Sequence, residues 1–273
     1  MSDILSVLEA FYGRPMEDIL ADPLLPRIHE SLLSALEAGL ARAAFPDPSG
    51  AWRVRPWVKT AILAGFRFSG IEAFPAWPGG ARDKAAFPPR AIAAGDGVRL
   101  VPGGSAVRRG AHLGKGVVVM PPAYINVGAW IGEGTMVDSH ALVGSCAQVG
   151  ERVHLSAGVQ VGGVLEPAGA LPVIVEDEAF LGGLCALFEG VVVRRRAVLA
   201  PATIISASTT LYDLVRGREC RGEVPEGAVV VPGSRPARGA WAEERGISLY
   251  APCIVKYRDG GTDAATVLEE ALR

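Results

Sequence analysis

An aliphatic residue recurs at every sixth position through the middle of this chain. A first run leads from Val101 to Val161, and a second run leads from Val175 to Ile205. A period of six fits neither the 3.6-residue period of a helix nor the two-residue period of a strand. A short, strict repeat is typical of a solenoid, in which stacked coils bury columns of side chains. The positions are Val101, Val107, Leu113, Val119, Ile125, Ile131, Val137, Val143, Val149, Leu155 and Val161, then Val175, Leu181, Leu187, Val193, Leu199 and Ile205.

The repeat predicts a mainly β fold, the left-handed parallel β-helix that is built from hexapeptide repeats. Each hexad would form one short strand and one turn, and three hexads would close a triangular coil. The seventeen hexads therefore predict between five and six coils. The left hand comes from identifying the repeat, because crossovers between parallel strands are usually right-handed. A glycine-rich β-sandwich is the alternative, and eleven consecutive aliphatic positions leave it little room.

The phase of the repeat breaks between its two runs, near residues 162–174. The break is rich in glycine and proline, which favours a loop extruded from one corner of the solenoid. Loops on rigid scaffolds commonly carry function. A tolerated surface insertion is the alternative interpretation of the same segment.

The flanking sequences predict three domains, at 1–98, 99–210 and 211–273. Apolar residues at helical spacing near the start, at 32–40 and at 57–67 predict a helical N-terminal domain, with connectors at 46–50 and 75–90. Near the other end, residues 247–257 predict strands and residues 262–272 a short helix. Together they would form a small β-rich C-terminal domain that covers the open end of the solenoid.

Composition narrows the possible functions. The net charge of −2 argues against a nucleic-acid partner, because such binders usually carry a basic excess. No apolar stretch is long enough to cross a bilayer, so neither a membrane partner nor a signal peptide is expected. The four cysteines show no zinc-binding spacing, so no metal site is expected. These features predict a cytoplasmic protein with reduced thiols.

Several longer strings carry a resemblance to a known family. The most specific string is GTMVDSHALVGSCAQVG at 134–150. The chain resembles the tetrahydrodipicolinate N-succinyltransferases of bacterial lysine and diaminopimelate biosynthesis, nearly from end to end. The other strings are RLVP at 99–102, MP at 120–121, NVGA at 126–129, VHLS at 153–156, GGVLEP at 162–167, SLY at 248–250 and IVK at 254–256.

The resemblance implies an architecture, a reaction and an assembly. The family has a helical N-terminal domain, a left-handed β-helix and a small C-terminal domain. It forms homotrimers whose active sites lie between neighbouring solenoids. It transfers succinyl from succinyl-CoA, the co-substrate, to the amine of a cyclic dicarboxylic amino acid, without a metal.

The resemblance also places substrate-binding residues. An amine that attacks a thioester must be neutral, so it needs a group that accepts its proton. Asp138 matches the acidic substrate-binding position of the family and is expected to be catalytic. Arg99 matches a substrate-contacting position, where a guanidinium suits a carboxylate. Ser145 and Glu166, within matched strings, are further expected substrate-binding residues.

The acyl-CoA is expected to lie along the outside of the solenoid, held largely by backbone amides. Small residues would allow that close approach. The expected residues are Gly162, Gly163, Ala200, Ser206 and Ala207.

The sequence departs from the family pattern in one segment. Leu184 and Ala186 stand where the family has an arginine and a glutamate. Close to Asp138, His140 replaces a family tryptophan, and it is either a partly exposed solenoid residue or a replacement catalytic base.

Three functions remain open. The chain is a tetrahydrodipicolinate succinyltransferase, a paralogue that acylates another amino acid, or a non-enzymatic solenoid that binds or assembles. The paralogue would use succinyl-CoA or acetyl-CoA, as in a tabtoxin-like secondary pathway, and the weakly polar segment 184–188 favours it. Retention of Asp138 and Arg99 argues against the non-enzymatic solenoid.

Overall fold

A computed structural model describes residues 2–261, and four helices dominate its N-terminal part. Helix α4 begins at Pro56, whose fixed φ and missing N–H suit the first helical position. Leu8, Leu32 and Ile62 are fully buried in a cluster that the helices share, so the predicted helices are confirmed. The four are α1 (Ser2–Tyr12), α2 (Met16–Ala21), α3 (Leu25–Glu37) and α4 (Pro56–Phe68).

Two antiparallel hairpins interrupt this helical layer. Strand β1 (Ala44–Pro46) pairs with β2 (Trp52–Val54), and β3 (Ile71–Phe74) pairs with β4 (Ala81–Lys84). The prediction of a connector throughout 75–90 was therefore wrong at β4. The sequence of β4, Ala-Arg-Asp-Lys, has little strand propensity, and its pairing with β3 holds it extended.

The central part is a stack of two-residue parallel strands on three faces of a prism, which confirms the predicted left-handed β-helix. Face 1 carries β5 (Arg99–Leu100), β8 (Val118–Val119), β11 (Met136–Val137), β14 (His154–Leu155), β17 (Phe180–Leu181) and β20 (Val198–Leu199). Face 2 carries β6 (Ala106–Val107), β9 (Tyr124–Ile125), β12 (Leu142–Val143), β15 (Gln160–Val161), β18 (Ala186–Leu187) and β21 (Ile204–Ile205). Face 3 carries β7 (His112–Leu113), β10 (Trp130–Ile131), β13 (Gln148–Val149), β16 (Ile174–Val175) and β19 (Val192–Val193).

The strand register explains both the period of six and its interruption. Trp130 pairs with Gln148, so neighbouring strands on one face lie eighteen residues apart, which is three hexads. Gln148 pairs with Ile174, a separation of twenty-six residues, so the interruption adds eight residues to one coil. The insertion leaves the stacking unchanged. The extruded loop is thereby confirmed.

Two residues of each hexad point into the prism. Ile131 and Thr135 are both fully buried, and the aliphatic and small positions of the other coils follow the same rule. Thr135 keeps its hydroxyl satisfied inside the core, because Oγ1 donates to the Gly150 carbonyl and accepts from the Val153 N–H. The core is therefore a continuous set of aliphatic columns closed by small residues.

The first position of the predicted column was wrong. Leu100, and not Val101, pairs with Val119 and packs against the solenoid core. The first corner holds one residue more than a hexad allows, and it includes Gly103 and Gly104, both at positive φ. Glycine tolerates that conformation, so the extra residue is absorbed there.

The C-terminal residues extend two faces and then turn back. Strands β24 (Glu223–Val224) and β25 (Ala228–Val231) continue faces 3 and 1, and β28 (Cys253–Tyr257) pairs antiparallel with β25. The strands predicted within 247–257 are confirmed, whereas the helix predicted at 262–272 lies outside the described residues. The elements are β22 (Thr210–Asp213), β23 (Arg218–Arg221), β24 (Glu223–Val224), β25 (Ala228–Val231), β26 (Ser234–Pro236), α5 (Ala240–Glu244), β27 (Ser248–Tyr250) and β28 (Cys253–Tyr257).

The helical layer packs directly on the solenoid. Val127 and Cys146, both fully buried, belong to the hydrophobic cluster of the helices although they lie on solenoid turns. The domain boundaries at 98 and 210 stay a prediction. None of the helices within residues 2–261 is long and apolar enough to span a bilayer.

Candidate active site

The candidate catalytic residues lie on the corner that follows face 1, here called corner 1–2. Asp138 comes directly after the inward-pointing Val137 and is half-buried. Its N–H donates to the Leu155 carbonyl at 2.9 Å, and its Oδ1 accepts the Ser139 N–H at 2.7 Å. One carboxylate oxygen therefore closes the turn, and Oδ2 has no hydrogen bond within the described residues.

His140 lies two residues beyond Asp138 on the same corner. It is exposed and adopts a left-handed conformation with φ of 62°. Its N–H donates to the Pro122 carbonyl at 2.6 Å, which fixes the backbone but leaves the ring free of that bond. His140 therefore lies close to Asp138 along the chain and on the outer surface of the solenoid. Its role as a catalytic base stays a prediction.

Arg99 lies on face 1 near the start of the solenoid. It is exposed and pairs with Val118, which in turn pairs with Met136, two residues before Asp138. Two strand spacings therefore separate Arg99 from the strand of Asp138, about 10 Å along the axis. An extended arginine covers much of that distance, and binding of one ligand by both side chains stays a prediction.

A second group of candidates lies on the corner that follows face 2, here called corner 2–3. The extruded loop starts there with Gly162 and Gly163, and Ser145 lies beneath it, 6% exposed. The Val164 N–H donates to the Ser145 carbonyl at 3.2 Å. A Cβ on Gly163 would lie 2.6 Å from the Ser145 nitrogen, so glycine permits this close approach.

The loop forms one wall of a cavity of about 750 Å³. Gly162, Gly163 and Glu166 line it from the loop, and Phe188 and Glu189 line it from the next coil. Glu189 was not among the expected site residues. It occupies the same place in its hexad as Ser145, two residues after the inward aliphatic, and that phase is the signal that identifies it.

The remaining small residues do not form one group. Ser206 and Ala207 follow face 2 and belong to corner 2–3, whereas Ala200 follows face 1 and belongs to corner 1–2. The hydroxyl of Ser206 lies 3.1 Å from that of Thr209. The expected residues therefore form two groups along opposite edges of face 2.

Comparisons with known proteins agree with the sequence motifs. A model described as the tetrahydrodipicolinate N-succinyltransferase N-terminal region matches residues 21–68. A 2,3,4,5-tetrahydropyridine-2,6-dicarboxylate N-succinyltransferase from Afipia carboxidovorans is 43% identical, with 89% of this chain and 88% of that protein covered. A protein of the same name from Azoarcus is 45% identical, with 100% and 99% covered.

The chain belongs to the tetrahydrodipicolinate N-succinyltransferase family. The predicted resemblance is thereby confirmed. The two positions at which the resemblance implies an arginine and a glutamate can be located in the structure. Leu184 lies on corner 1–2, and Ala186 is an outward residue of face 2, paired with Gln160 and Ile204.

Leu184 is unusual for a large apolar side chain because it is 68% exposed. Corner 1–2 carries His140, Gly158 and Leu184 at equivalent positions in three successive coils. A Cβ on Gly158 would lie 2.7 Å from the Leu184 Cδ2, so glycine leaves the space that this side chain fills. An apolar, solvent-facing group therefore shares a corner with Asp138 and His140.

Proposed function

We propose that this protein transfers succinyl from succinyl-CoA to the ring nitrogen of tetrahydrodipicolinate, with addition of one water to the ring C=N bond. The observation that carries the proposal is identity of 43–45% with relatives of that name over at least 89% of the chain. Asp138 and Arg99, retained on one side of the solenoid, supply the chemistry that the reaction needs. In this role the protein is a CoA-dependent N-acyltransferase of lysine and diaminopimelate synthesis.

The proposed roles follow from the demands of thioester aminolysis. Water first adds across the ring C=N bond of tetrahydrodipicolinate, which leaves a nitrogen that carries a hydrogen. That amine nitrogen attacks the thioester carbonyl, the C–S bond breaks, and CoA leaves as a thiol. Asp138 accepts the proton that the amine loses, and that proton ends on the departing sulfur. Arg99 binds a carboxylate of the acceptor through its planar guanidinium. Ser145 and Glu166 complete the proposed substrate contacts.

The acyl-CoA is proposed to run along corner 2–3. Support comes from Gly162 and Gly163, which line the cavity without side chains, and Gly163 is exposed. Ser206 and Ala207 lie further along the same corner. Ala200 lies on corner 1–2, the corner of Asp138, and would contact the acyl-CoA there.

A homotrimer is part of the proposal. The two groups of candidate residues lie on opposite edges of face 2, so one solenoid does not unite them. A neighbouring solenoid that packs along face 2 would bring corner 1–2 of one protomer towards corner 2–3 of the next. We also propose a cytoplasmic location, with neither a membrane nor a nucleic acid as partner.

The exposure of Leu184 favours a second candidate function. A buried or half-exposed arginine at this corner would bind a carboxylate, whereas an isobutyl group favours an apolar substituent. Ala186 likewise has no group that accepts a proton. The second candidate is a paralogue that transfers succinyl or acetyl to an amino acid with an apolar side chain.

The release of CoA thiol distinguishes these functions. The purified protein would receive tetrahydrodipicolinate, or its stable mimic 2-aminopimelate, with succinyl-CoA and in parallel with acetyl-CoA. Turnover with succinyl-CoA and the dicarboxylate is the expected result. Turnover only with apolar amino acids would support the paralogue. A folded protein that releases no CoA with either donor and any acceptor would overturn both and leave a non-enzymatic solenoid.

A further inference from the structure

One lysine in the helical layer is completely buried and has no part in the proposed reaction. Lys59, on α4, is 0% exposed, and burial lowers the pKa of its ammonium. Its Nζ donates a hydrogen bond to the carbonyl of Ala170, far along the chain in the extruded loop. Cys146 lies close by, and burial raises the pKa of its thiol to about 12.

The extruded loop is therefore anchored to the helices as well as to the solenoid. Leu165, near its start, packs against the hydrophobic cluster of the helical layer. Ala170 closes a turn within the loop, because its N–H donates to the Pro167 carbonyl at 2.9 Å. Lys59 Nζ donates a hydrogen bond to the carbonyl of that same residue. The two anchors hold both halves of the loop against the helical layer.

Burying an ammonium group costs free energy, because the charged group loses its hydration. Replacing such a group with an apolar residue of similar volume is often neutral or stabilising. Val58 and Ile62, near Lys59 on α4, are both fully buried and apolar, so we expect a methionine to be tolerated at position 59. Stability alone therefore does not explain a lysine here, whereas an orienting bond to the loop does.

The anchored loop shapes the cavity of corner 2–3. Gly162, Gly163, Glu166 and Ala170 all line that cavity from the loop side. Displacing the loop would move the proposed contacts of acyl-CoA and acceptor together. We propose that Lys59 is a positioning residue, which holds the loop in the conformation that binds acyl-CoA. This inference rests on the proposed function for the ligand, and on the contacts of Lys59 and Leu165 for the anchor.

The first test measures the loop itself and needs no substrate. Amide hydrogen exchange over residues 164–171 is expected to accelerate at least about tenfold in Lys59→Met, with the melting temperature unchanged or raised. Lys84→Met is the matched control, because Lys84 Nζ also donates to a backbone carbonyl of the helical layer, that of Ser69, at 2.8 Å. The control is expected to leave exchange in the loop unchanged.

The second test measures the site. KM for succinyl-CoA is expected to rise about tenfold in Lys59→Met, with a smaller change in kcat, since misplaced binding groups weaken substrate positioning. Leu165→Ala removes the other anchor from the loop side and is expected to give the same exchange and KM changes. Lys84→Met is expected to keep the wild-type KM.

The outcomes separate this inference from the proposed function. If the wild-type protein releases no CoA, the proposed function fails, and calorimetric titration of CoA then replaces KM as the readout for Lys59→Met. Equal rates of amide hydrogen exchange in the loop of Lys59→Met and of Lys84→Met would contradict the proposal that Lys59 anchors the loop. Faster exchange with unchanged KM and CoA affinity would overturn the positioning role.

Discussion

Asp138→Asn isolates the charge of the proposed base from its structural role. Asp138 Oδ1 accepts the Ser139 N–H at 2.7 Å, and an asparagine oxygen accepts the same bond. Asparagine and aspartate serve about equally well in such turns, so the folded state should lose no more than a few tenths of a kcal/mol. The loss of activity then measures the carboxylate alone.

The expected loss follows from what the charge does. A charge-assisted hydrogen bond to the attacking amine contributes about 1.5–3 kcal/mol, and general base catalysis contributes about 10²–10⁴-fold in rate. We therefore expect kcat/KM for the amine acceptor to fall about 10²–10⁴-fold. The assay is CoA thiol release with varied acceptor, beside thermal unfolding of the same preparation.

Asp177→Asn is the matched control for this prediction. Asp177 is also a solenoid corner aspartate, and its Oδ1 accepts the Glu151 N–H at 2.8 Å, but it lies on the corner that follows face 3. The control is expected to keep wild-type kcat/KM. Equal activity of Asp138→Asn and Asp177→Asn would refute the role of Asp138, provided that both variants unfold at similar temperatures.

Two further predictions concern stability. Ile131→Ala removes a fully buried side chain from the aliphatic column, so the free energy of unfolding in urea should fall by about 3 kcal/mol; a loss below about 1 kcal/mol would contradict a close-packed core. Burial tends to raise the pKa of Asp213, but hydrogen bonds from Tyr257, the Arg216 N–H and Arg218 outweigh burial and hold it below the usual range. Because that pKa is lowered, its contribution is complete above about pH 4 and is lost as pH falls further. Melting temperatures from pH 7 to pH 3 should therefore decline less steeply in Asp213→Asn, and parallel declines would contradict this assignment.

Much of the fold could be predicted because the repeat is local and strict. Each hexad buries its aliphatic residue in the same way, so the pattern at 107–161 was sufficient to place every strand of those coils. The helix at 56–68 was equally predictable from the sequence, because its apolar spacing and Pro56 are local signals. Strand β4 was not, because it is extended through its pairing with β3 and not through its own composition.

The candidate site was predictable in part. The motif at 134–150 located Asp138, and the phase break located the loop, since both are features of residue order. The placement of the Leu184 side chain was not predictable, because its Cδ2 fills the space that Gly158 leaves one coil away. The anchor from Lys59 to Ala170 joins residues more than a hundred positions apart, and no local pattern marks it.

The sequence by itself determined the class of the fold, the coil length and the position of the insertion, because a strict period leaves one way to bury its aliphatic column. It also determined family membership, through strings that match from end to end. Only the tertiary structure decided that Leu100 replaces Val101 in the column, because strand register is set by the neighbouring coil. It alone placed Asp138 and His140 on one corner and the extruded loop on another, because the position of a residue around the prism depends on how three hexads close.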